Sequence, residues 1–143
     1  MQTTVPMLTY EDAGAMADWL CEAFGFRETG ERFYDDEGRV NHAEVSHGDG
    51  QVMLGYAGPD YRGPRRHAEE CEQARRWLDN PFAVDGVLVH IEDLDAHLAR
   101  ARAAGAEILR GPEDQPFGRL YTAADPEGHR WMFGQRVAGE HDV

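Results

Sequence analysis

Apolar residues recur with helical spacing in the first part of the chain, directly after a short strand-like segment. Five of them fall at i, i+3, i+4, i+7 and i+8, which places them on one stripe of a helix: Met16, Trp19, Leu20, Ala23 and Phe24. Asp12 is suited to cap the start of this helix, and Gly25 is suited to end it in a left-handed conformation. The pattern predicts a strand followed by an amphipathic helix over residues 5–25.

The same series of features returns in the second half of the chain. Asp93 takes the capping position, and Gly105 takes the terminal one. Between them lies a second apolar stripe, formed by Leu94, Leu98, Ala101 and Ala104. Residues 86–105 therefore repeat the strand and helix of residues 5–25, which indicates an internal duplication.

Short strand-like segments separated by turn residues follow each helix. They cover residues 32–34, 40–46, 51–56, 108–110, 118–123 and 130–135. A loop rich in proline and glycine is predicted before Phe117. The predicted fold class is α+β with two βαβββ units, one over residues 1–57 and one over 84–137, followed by a tail at 138–143.

The segment between the units, residues 58–83, has a different character. Pro64 suits the first position of a helix, and Asn80 with Pro81 would stop it. One face of this helix would carry Cys71, Ala74, Trp77 and Leu78. Two interpretations stay open: a lid that covers a cleft, or a linker helix that packs on the outside.

Charge and composition exclude several classes of function. The net charge of −13 would repel nucleic acid, although it suits a cationic ligand. Neither a bilayer-spanning apolar run nor a signal-peptide pattern is present, so we expect a cytoplasmic protein with no membrane partner. Cys21 and Cys71 show no CxxC or Cys/His spacing, which argues against a zinc site and a disulfide framework.

The duplicated unit, the Asp before each helix and the closing run Asp-Pro-Glu-Gly-His-Arg-Trp-Met-Phe-Gly-Gln at 125–135 resemble the vicinal oxygen chelate superfamily. This superfamily includes glyoxalase I, the bleomycin resistance proteins and the extradiol dioxygenases. The resemblance covers residues 5–136 as a single domain. It implies that each unit curls into a half-barrel with its helix on the convex side, that the concave faces form a ligand cleft, and that the protein is a homodimer.

The resemblance also implies where a metal would lie. Catalytic members hold a divalent metal through His and Glu side chains on the first and last strand of each unit. The matching positions here are Val5, Met53, Gly86 and Met132, and none carries an oxygen or nitrogen ligand for a hard cation. Moving the alignment by one or two residues does not restore a site either. We therefore expect neither the metal site of the family nor any other cofactor.

Alternation along the predicted strands separates a core face from a cleft face. The core face, toward the helices, carries Leu8, Tyr10, Val52, Leu54, Val87, Val89, Ile91, Trp131 and Phe133. The cleft face carries Val5, Met7, Thr9, Met53, Gly55, Leu88, His90, Arg130, Met132 and Gly134. This apolar, methionine-rich composition is typical of a small-molecule pocket, and the alternative is a collapsed cleft filled by its own side chains.

From these positions we predict a set of ligand-binding residues: Val5, Met7, Met53, Leu88, His90, Arg130, Met132, Tyr121 and Trp77. The candidates for chemistry are His42, Glu44 and His90, which would form an acid–base set or a relocated metal site if they met. The alternative is that these three orient a ligand at the rim or are simply solvated. His129 is expected to have a structural role, and His97 lies on a helix without a partner at ligand spacing.

Two main hypotheses of function follow from these observations. The favoured one is a metal-independent protein of the bleomycin-resistance type that sequesters an aromatic or cationic compound, an antibiotic or a metabolite. The rival is an enzyme of the superfamily, a lyase, isomerase or dioxygenase, with a displaced metal or a metal-free acid–base site. A third hypothesis, a regulatory or interaction module, rests only on the unusual segment between the units.

Overall fold

The computed structural model describes residues 2–80, 82 and 85–137. The predicted tail at 138–143 and the predicted start of the second unit at residue 84 lie outside these residues. The first unit contains β1 (Met7–Tyr10), α1 (Ala13–Phe24), β2 (Arg27–Tyr34), β3 (Val40–His47) and β4 (Gly50–Tyr56). Its strands form one sheet in the order β1-β4-β3-β2, in which only the β1–β4 pairing is parallel.

Two short helices connect the units: α2 (Pro64–Glu70) and α3 (Glu72–Leu78). Pro64 opens α2 as predicted. The single helix predicted for this segment is wrong, because Cys71 adopts an extended conformation with φ −141° and ψ 117°, which no α-helix contains. Ala68 and Ala74 are the buried residues of the two helices, so the segment packs on one small side chain per helix and does not require a continuous helical face.

The second unit repeats the first with β5 (Gly86–His90), α4 (Leu94–Ala103), β6 (Glu107–Gln115), β7 (Gly118–Ala124) and β8 (Arg130–Arg136). Its sheet order is β5-β8-β7-β6, again with one parallel pair, β5 with β8. The α+β architecture of two βαβββ units is therefore confirmed.

The strand β6 differs from the prediction of a short strand followed by a loop. It continues to Gln115 through Gly111 and Pro112, and its pairing with β7 shifts register on both sides of Arg110. An outer strand tolerates a proline and such irregularities because one of its edges has no strand to bond. The composition that indicated a loop belongs to an irregular edge strand.

The two units share one hydrophobic core. Asp12 and Asp93 cap α1 and α4 as predicted, each through a side-chain oxygen that accepts a backbone N–H. At the C-terminal end of α1, the Phe24 ring lies 5.9 Å from Trp131 and 4.7 Å from Phe133 of the second unit. The predicted core face is confirmed at Tyr10, Val52, Leu54, Ile91, Trp131 and Phe133, which are all buried. The cleft face of each sheet is consequently the face opposite this core.

Among the described residues, no helix combines the length and the apolar character that crossing a bilayer requires.

Candidate ligand-binding site

The first sheet presents two methionines and a polar pair on its cleft face. His42 and Glu44 lie on this face because Ala43 between them is buried in the core. Glu44 lies opposite Met53 in the register of β3 and β4, and Met53 lies opposite Met7 in that of β4 and β1. Met7 is 76% exposed, so this face offers apolar surface to solvent.

The polar pair is supported by its neighbours on the same sheet. His42 Nε2 lies 3.8 Å from Glu44 Oε1, and the Gln51 side-chain amide donates to the same carboxylate oxygen at 3.2 Å. The Glu44 carboxylate lies against the backbone of Gly30, which has φ 71° and leaves no room for a Cβ. A side chain at position 30 would displace the Glu44 carboxylate, so the glycine leaves the space that this carboxylate occupies.

The second sheet presents a more apolar cleft face. Leu88 lies opposite Met132, and His90 lies opposite Gly134 in the register of β5 and β8. A Cβ at Gly134 would contact the Leu88 side chain at 3.7 Å, so the glycine keeps this part of the face shallow. Leu88 is 52% exposed. As on the first sheet, large apolar side chains face outward.

Arg130, predicted on this cleft face, binds the connecting segment. Its guanidinium is buried and donates to the carbonyl oxygens of Leu78 at 3.0 Å and Asn80 at 3.2 Å. Burial lowers the pKa of Arg130. Trp77, half-exposed beside the anchored carbonyls, lines a cavity of about 310 Å³ with Tyr61 and other residues of the segment. The end of α3 is thus tied to the first residue of β8.

Tyr121 does not reach the cleft. It is buried on the core face of β7, and its hydroxyl donates to His97 Nδ1 at 2.6 Å. His97 Nε2 donates to the Phe24 carbonyl at 2.8 Å, so Nδ1 is the acceptor when the imidazole is neutral. Burial lowers the pKa of His97 and raises that of Tyr121. Sequence analysis did not predict this buried pair. The face of β7 that Tyr121 occupies depends on the strand register, which the sequence alone does not give.

The four positions implied for a metal do not fit one. Val5, Met53, Gly86 and Met132 offer no oxygen or nitrogen side-chain donor. Elsewhere in the part of the chain that the structure describes, no three His, Cys, Asp or Glu side chains gather at metal-binding spacing. His42 and Glu44 on β3 therefore form no such group with His90 on β5.

Comparison with known proteins identifies the family of this fold. The model of the Glyoxalase/Bleomycin resistance protein/Dioxygenase superfamily matches residues 3–133. The chain belongs to this superfamily. It is also similar to the uncharacterized protein Mb0911c of Mycobacterium bovis, with 32% identity over 92% of this chain and 82% of the relative.

Two solved structures are similar in fold to this chain. TioX from Micromonospora sp. ML1 is 31% identical and superimposes with a TM-score of 0.67 over 98% of this chain and 100% of its own. TnmS3 from Streptomyces sp. CB03234, described as an antibiotic binding protein, is 20% identical with a TM-score of 0.59 over 95% of this chain and 98% of its own. The second likeness shows the fold alone.

In this superfamily member, the Asp-Pro-Glu-Gly-His turn joins the two units. Asp125 is fully buried, and one of its carboxylate oxygens accepts the Tyr10 hydroxyl at 2.6 Å and the Trp131 indole N–H at 3.1 Å. The other oxygen accepts the backbone N–H groups of Glu127 and His129. One carboxylate thus satisfies four donors and connects β1 to β8.

Glu127 and His129 complete this contact, which we call the first junction (residues 9–12 with 125–129). The Glu127 carboxylate accepts the backbone N–H groups of Glu11 at 2.6 Å and Asp12 at 2.9 Å, and burial raises its pKa. His129 Nε2 donates to the Thr9 carbonyl at 2.7 Å. The turn that carries the family resemblance is therefore bonded to β1 and the start of α1.

The equivalent place on the other side of the repeat, the second junction (residues 47–50 with 91–93), contains a cavity of about 610 Å³. Its apolar lining is supplied by Pro6, Phe26, Val52, Val87, Leu88, Val89 and Ile91. Its polar lining includes His47, Asp49, His90, Glu92 and Asp93. Burial is the main cause that lowers the pKa of His47, with a smaller contribution from the charge of Arg27.

Proposed function

We propose that this protein binds a small organic molecule on its cleft faces without a metal and so withholds it from other targets. One observation carries the proposal: at the four positions where catalytic relatives would need metal ligands, the cleft faces carry apolar residues or glycine. The large side chains beside them, Met7 and Leu88, are more than half exposed. Exposed apolar surface on a concave face favours an apolar occupant.

Aromatic compounds are the ligand class that this face favours. Methionine sulfur makes favourable contacts with aromatic rings, and the flexible side chain adapts to different shapes. Glu44 adds a carboxylate to the first face, and the net charge of −13 attracts cations. We therefore infer an aromatic compound with a positive charge. Because TnmS3 is described as an antibiotic binding protein, antibiotics that reach the cytoplasm are the first class of compound to screen.

We also propose that the protein acts as a homodimer. The apolar side chains of the cleft faces in one chain, such as Met7, Phe33 and Leu88, are each more than half exposed. A second copy placed over these faces would shield them and enclose the ligand. Sedimentation equilibrium should give twice the chain mass at micromolar concentration, and a monomer at all concentrations would contradict the dimer.

A thermal-shift screen of aromatic antibiotics, followed by calorimetry, tests the binding proposal. Met53→Gln and Met132→Gln keep side-chain length but remove the apolar sulfur, so each should weaken binding about fivefold or more. Phe117→Gln is the matched control: Phe117 is 56% exposed, lies on the β6–β7 turn and should leave affinity unchanged. The proposal fails if no compound binds, or if the control weakens binding as much as the methionine variants.

One observation favours the enzyme as a second candidate function. His42 and Glu44 lie 3.8 Å apart on the cleft face, as an imidazole base and the carboxylate that orients it would. If the bound molecule is converted, His42→Gln should abolish turnover and preserve binding. Mass spectrometry of the ligand after incubation measures this, and an unchanged ligand removes the enzyme hypothesis for that compound.

A further inference from the structure

The two junctions occupy equivalent places in the repeat but are filled differently. Each pairs a strand-to-helix connection of one unit with the turn before the last strand of the other unit. At the first junction, Asp125 and Glu127 fill the space and bond to both units. At the second junction, the shorter turn Gly48–Asp49 leaves the cavity of about 610 Å³.

The floor of this cavity is apolar and part of the core. Phe26, Val52 and Ile91 are 5%, 4% and 9% exposed, so each presents only a small area to the cavity. The Phe26 ring meets the His47 ring edge-on at 5.8 Å, which adds an aromatic wall. A volume of this size lies within the range of small-molecule pockets and accommodates one or two rings.

The rim of the cavity is acidic. Asp49, Glu92 and Asp93 line it, and the described lining contains no arginine. Asp93 Oδ1 accepts the N–H of Ala96 as the cap of α4. Asp49 and Glu92 are therefore the carboxylates that remain available to bind a ligand. His47 adds no positive charge near neutral pH, because burial lowers its pKa from an ordinary value of 6.5.

We propose that the second junction is a second small-molecule site, beside the cleft faces and sharing Leu88 and His90 with them at its edge, for a hydrophobic organic cation such as an arylalkylammonium. The ring would lie on Phe26, Val52 and Ile91, and the ammonium would meet Asp49 and Glu92 at the rim. An apolar floor without charge selects the ring, and an acidic rim whose described lining contains no arginine selects the cation over a neutral or anionic isostere.

Amide chemical-shift mapping with benzylammonium, benzyl alcohol and benzoate tests the site on the intact chain. We expect saturable shifts at 47–52 and 89–93 with benzylammonium, weaker binding of benzyl alcohol and none of benzoate. Saturable shifts confined to Met53 and Met132 would mean that the cation occupies the cleft faces. That result, absence of saturation, or equal binding of benzoate would overturn the proposal.

Charge variants separate a specific contact from the general acidity of the protein. Asp49→Asn with Glu92→Gln should weaken benzylammonium binding about fivefold and leave benzyl alcohol unchanged. The matched control, Asp36→Asn with Glu69→Gln, removes the same charge at exposed positions outside the cavity lining. Equal weakening by both double variants would assign the effect to net charge and overturn the site.

A filling variant tests the cavity itself. Gly50 lines the cavity on the same side of β4 as Val52, and the nearest atom to an added Cβ is the His47 carbonyl oxygen at 3.5 Å. Gly50→Leu should abolish binding of benzylammonium and benzyl alcohol without unfolding the protein. Met53→Gln, which alters the cleft alone, should leave both affinities unchanged. Wild-type affinity in Gly50→Leu would contradict the proposal.

Discussion

The first and second junctions show how one repeated unit uses the same place in two ways. Around Asp125, four donors converge on a single buried carboxylate, and Glu127 adds two more bonds to the opposite unit. Around Asp49, the corresponding space is a cavity with an apolar floor. The comparison indicates that the polar network between the units lies at one side of the repeat, whereas the other side retains free space.

The comparison also changes how the closing motif is understood. The side chains of Asp125, Glu127 and His129 bond to β1, to the two residues before α1 and to Trp131. These contacts join separate structural elements. A buried carboxylate that accepts four hydrogen bonds stabilises the fold through those bonds. In this protein, the motif that marks the family joins the units of the fold.

Removing the carboxylate at the centre of the first junction should have the largest effect. Asp125→Ala leaves the Tyr10 hydroxyl, the Trp131 N–H and two backbone N–H groups without their acceptor in a buried place. We expect a loss of about 3–4 kcal/mol in the free energy of unfolding. Urea denaturation followed by Trp fluorescence measures it. Tyr10→Phe, which removes a single donor, should cost only about 1–2 kcal/mol.

The buried His97–Tyr121 pair should give the next largest effect. Tyr121→Phe leaves His97 Nδ1 without a donor and should cost about 1–2 kcal/mol. His97→Gln can still accept from Tyr121 and donate to Phe24, so it should cost less than that. If both variants had the same free energy of unfolding as the wild type, the His97–Tyr121 hydrogen bond would not contribute to stability.

The same pair predicts a pH dependence. The pKa of His97 lies below its ordinary value of 6.5 in the folded protein, so the unfolded chain binds a proton more readily. Its contribution to stability is complete above pH 6.5 and is lost as the pH falls through the folded pKa. Denaturation between pH 7.5 and 5 should therefore show a steeper loss for the wild type than for His97→Gln.

Glu127 should change the pH dependence of stability less than His97 does, and in the opposite direction. Burial is the largest cause that raises its folded pKa above 4.5, so its contribution to stability is present below that pH and is lost as the pH rises through the folded pKa. Glu127→Gln keeps one acceptor oxygen for the N–H of Glu11 or Asp12, replaces the other with an amide NH2 and does not titrate. The difference in unfolding free energy between the two proteins should stay below about 1 kcal/mol and should shift toward the variant from pH 4 to 7.

The smallest expected effect lies at the second junction and is a gain. Gly50→Leu adds apolar atoms to an open cavity and restricts the unfolded chain, which should stabilise the protein by about 0.5 kcal/mol. A small rise in the melting temperature of Gly50→Leu would support the presence of free space at the second junction. Destabilisation by more than about 1 kcal/mol would indicate that the cavity cannot accept a side chain.

Much of the fold could be predicted from local patterns. Asp12, Asp93 and Gly25 act where their side chains or backbone conformations predict, because a helix cap depends on residues within one turn. Tyr10, Leu54 and Trp131 lie in the core as alternation indicates. The absence of donor side chains at Val5, Met53, Gly86 and Met132 is likewise a property of the sequence.

Other features depend on distances between residues far apart in the chain and become visible only in the folded structure. The register of β7 against β8 turns Tyr121 toward His97, and the docking of α3 draws Arg130 to the Leu78 carbonyl. The strand-to-helix connections of the two junctions both end in a capping Asp, yet one junction closes on Asp125 and the other leaves a cavity. Local propensity specifies caps and faces, whereas cavities and buried bonds arise from how the units pack.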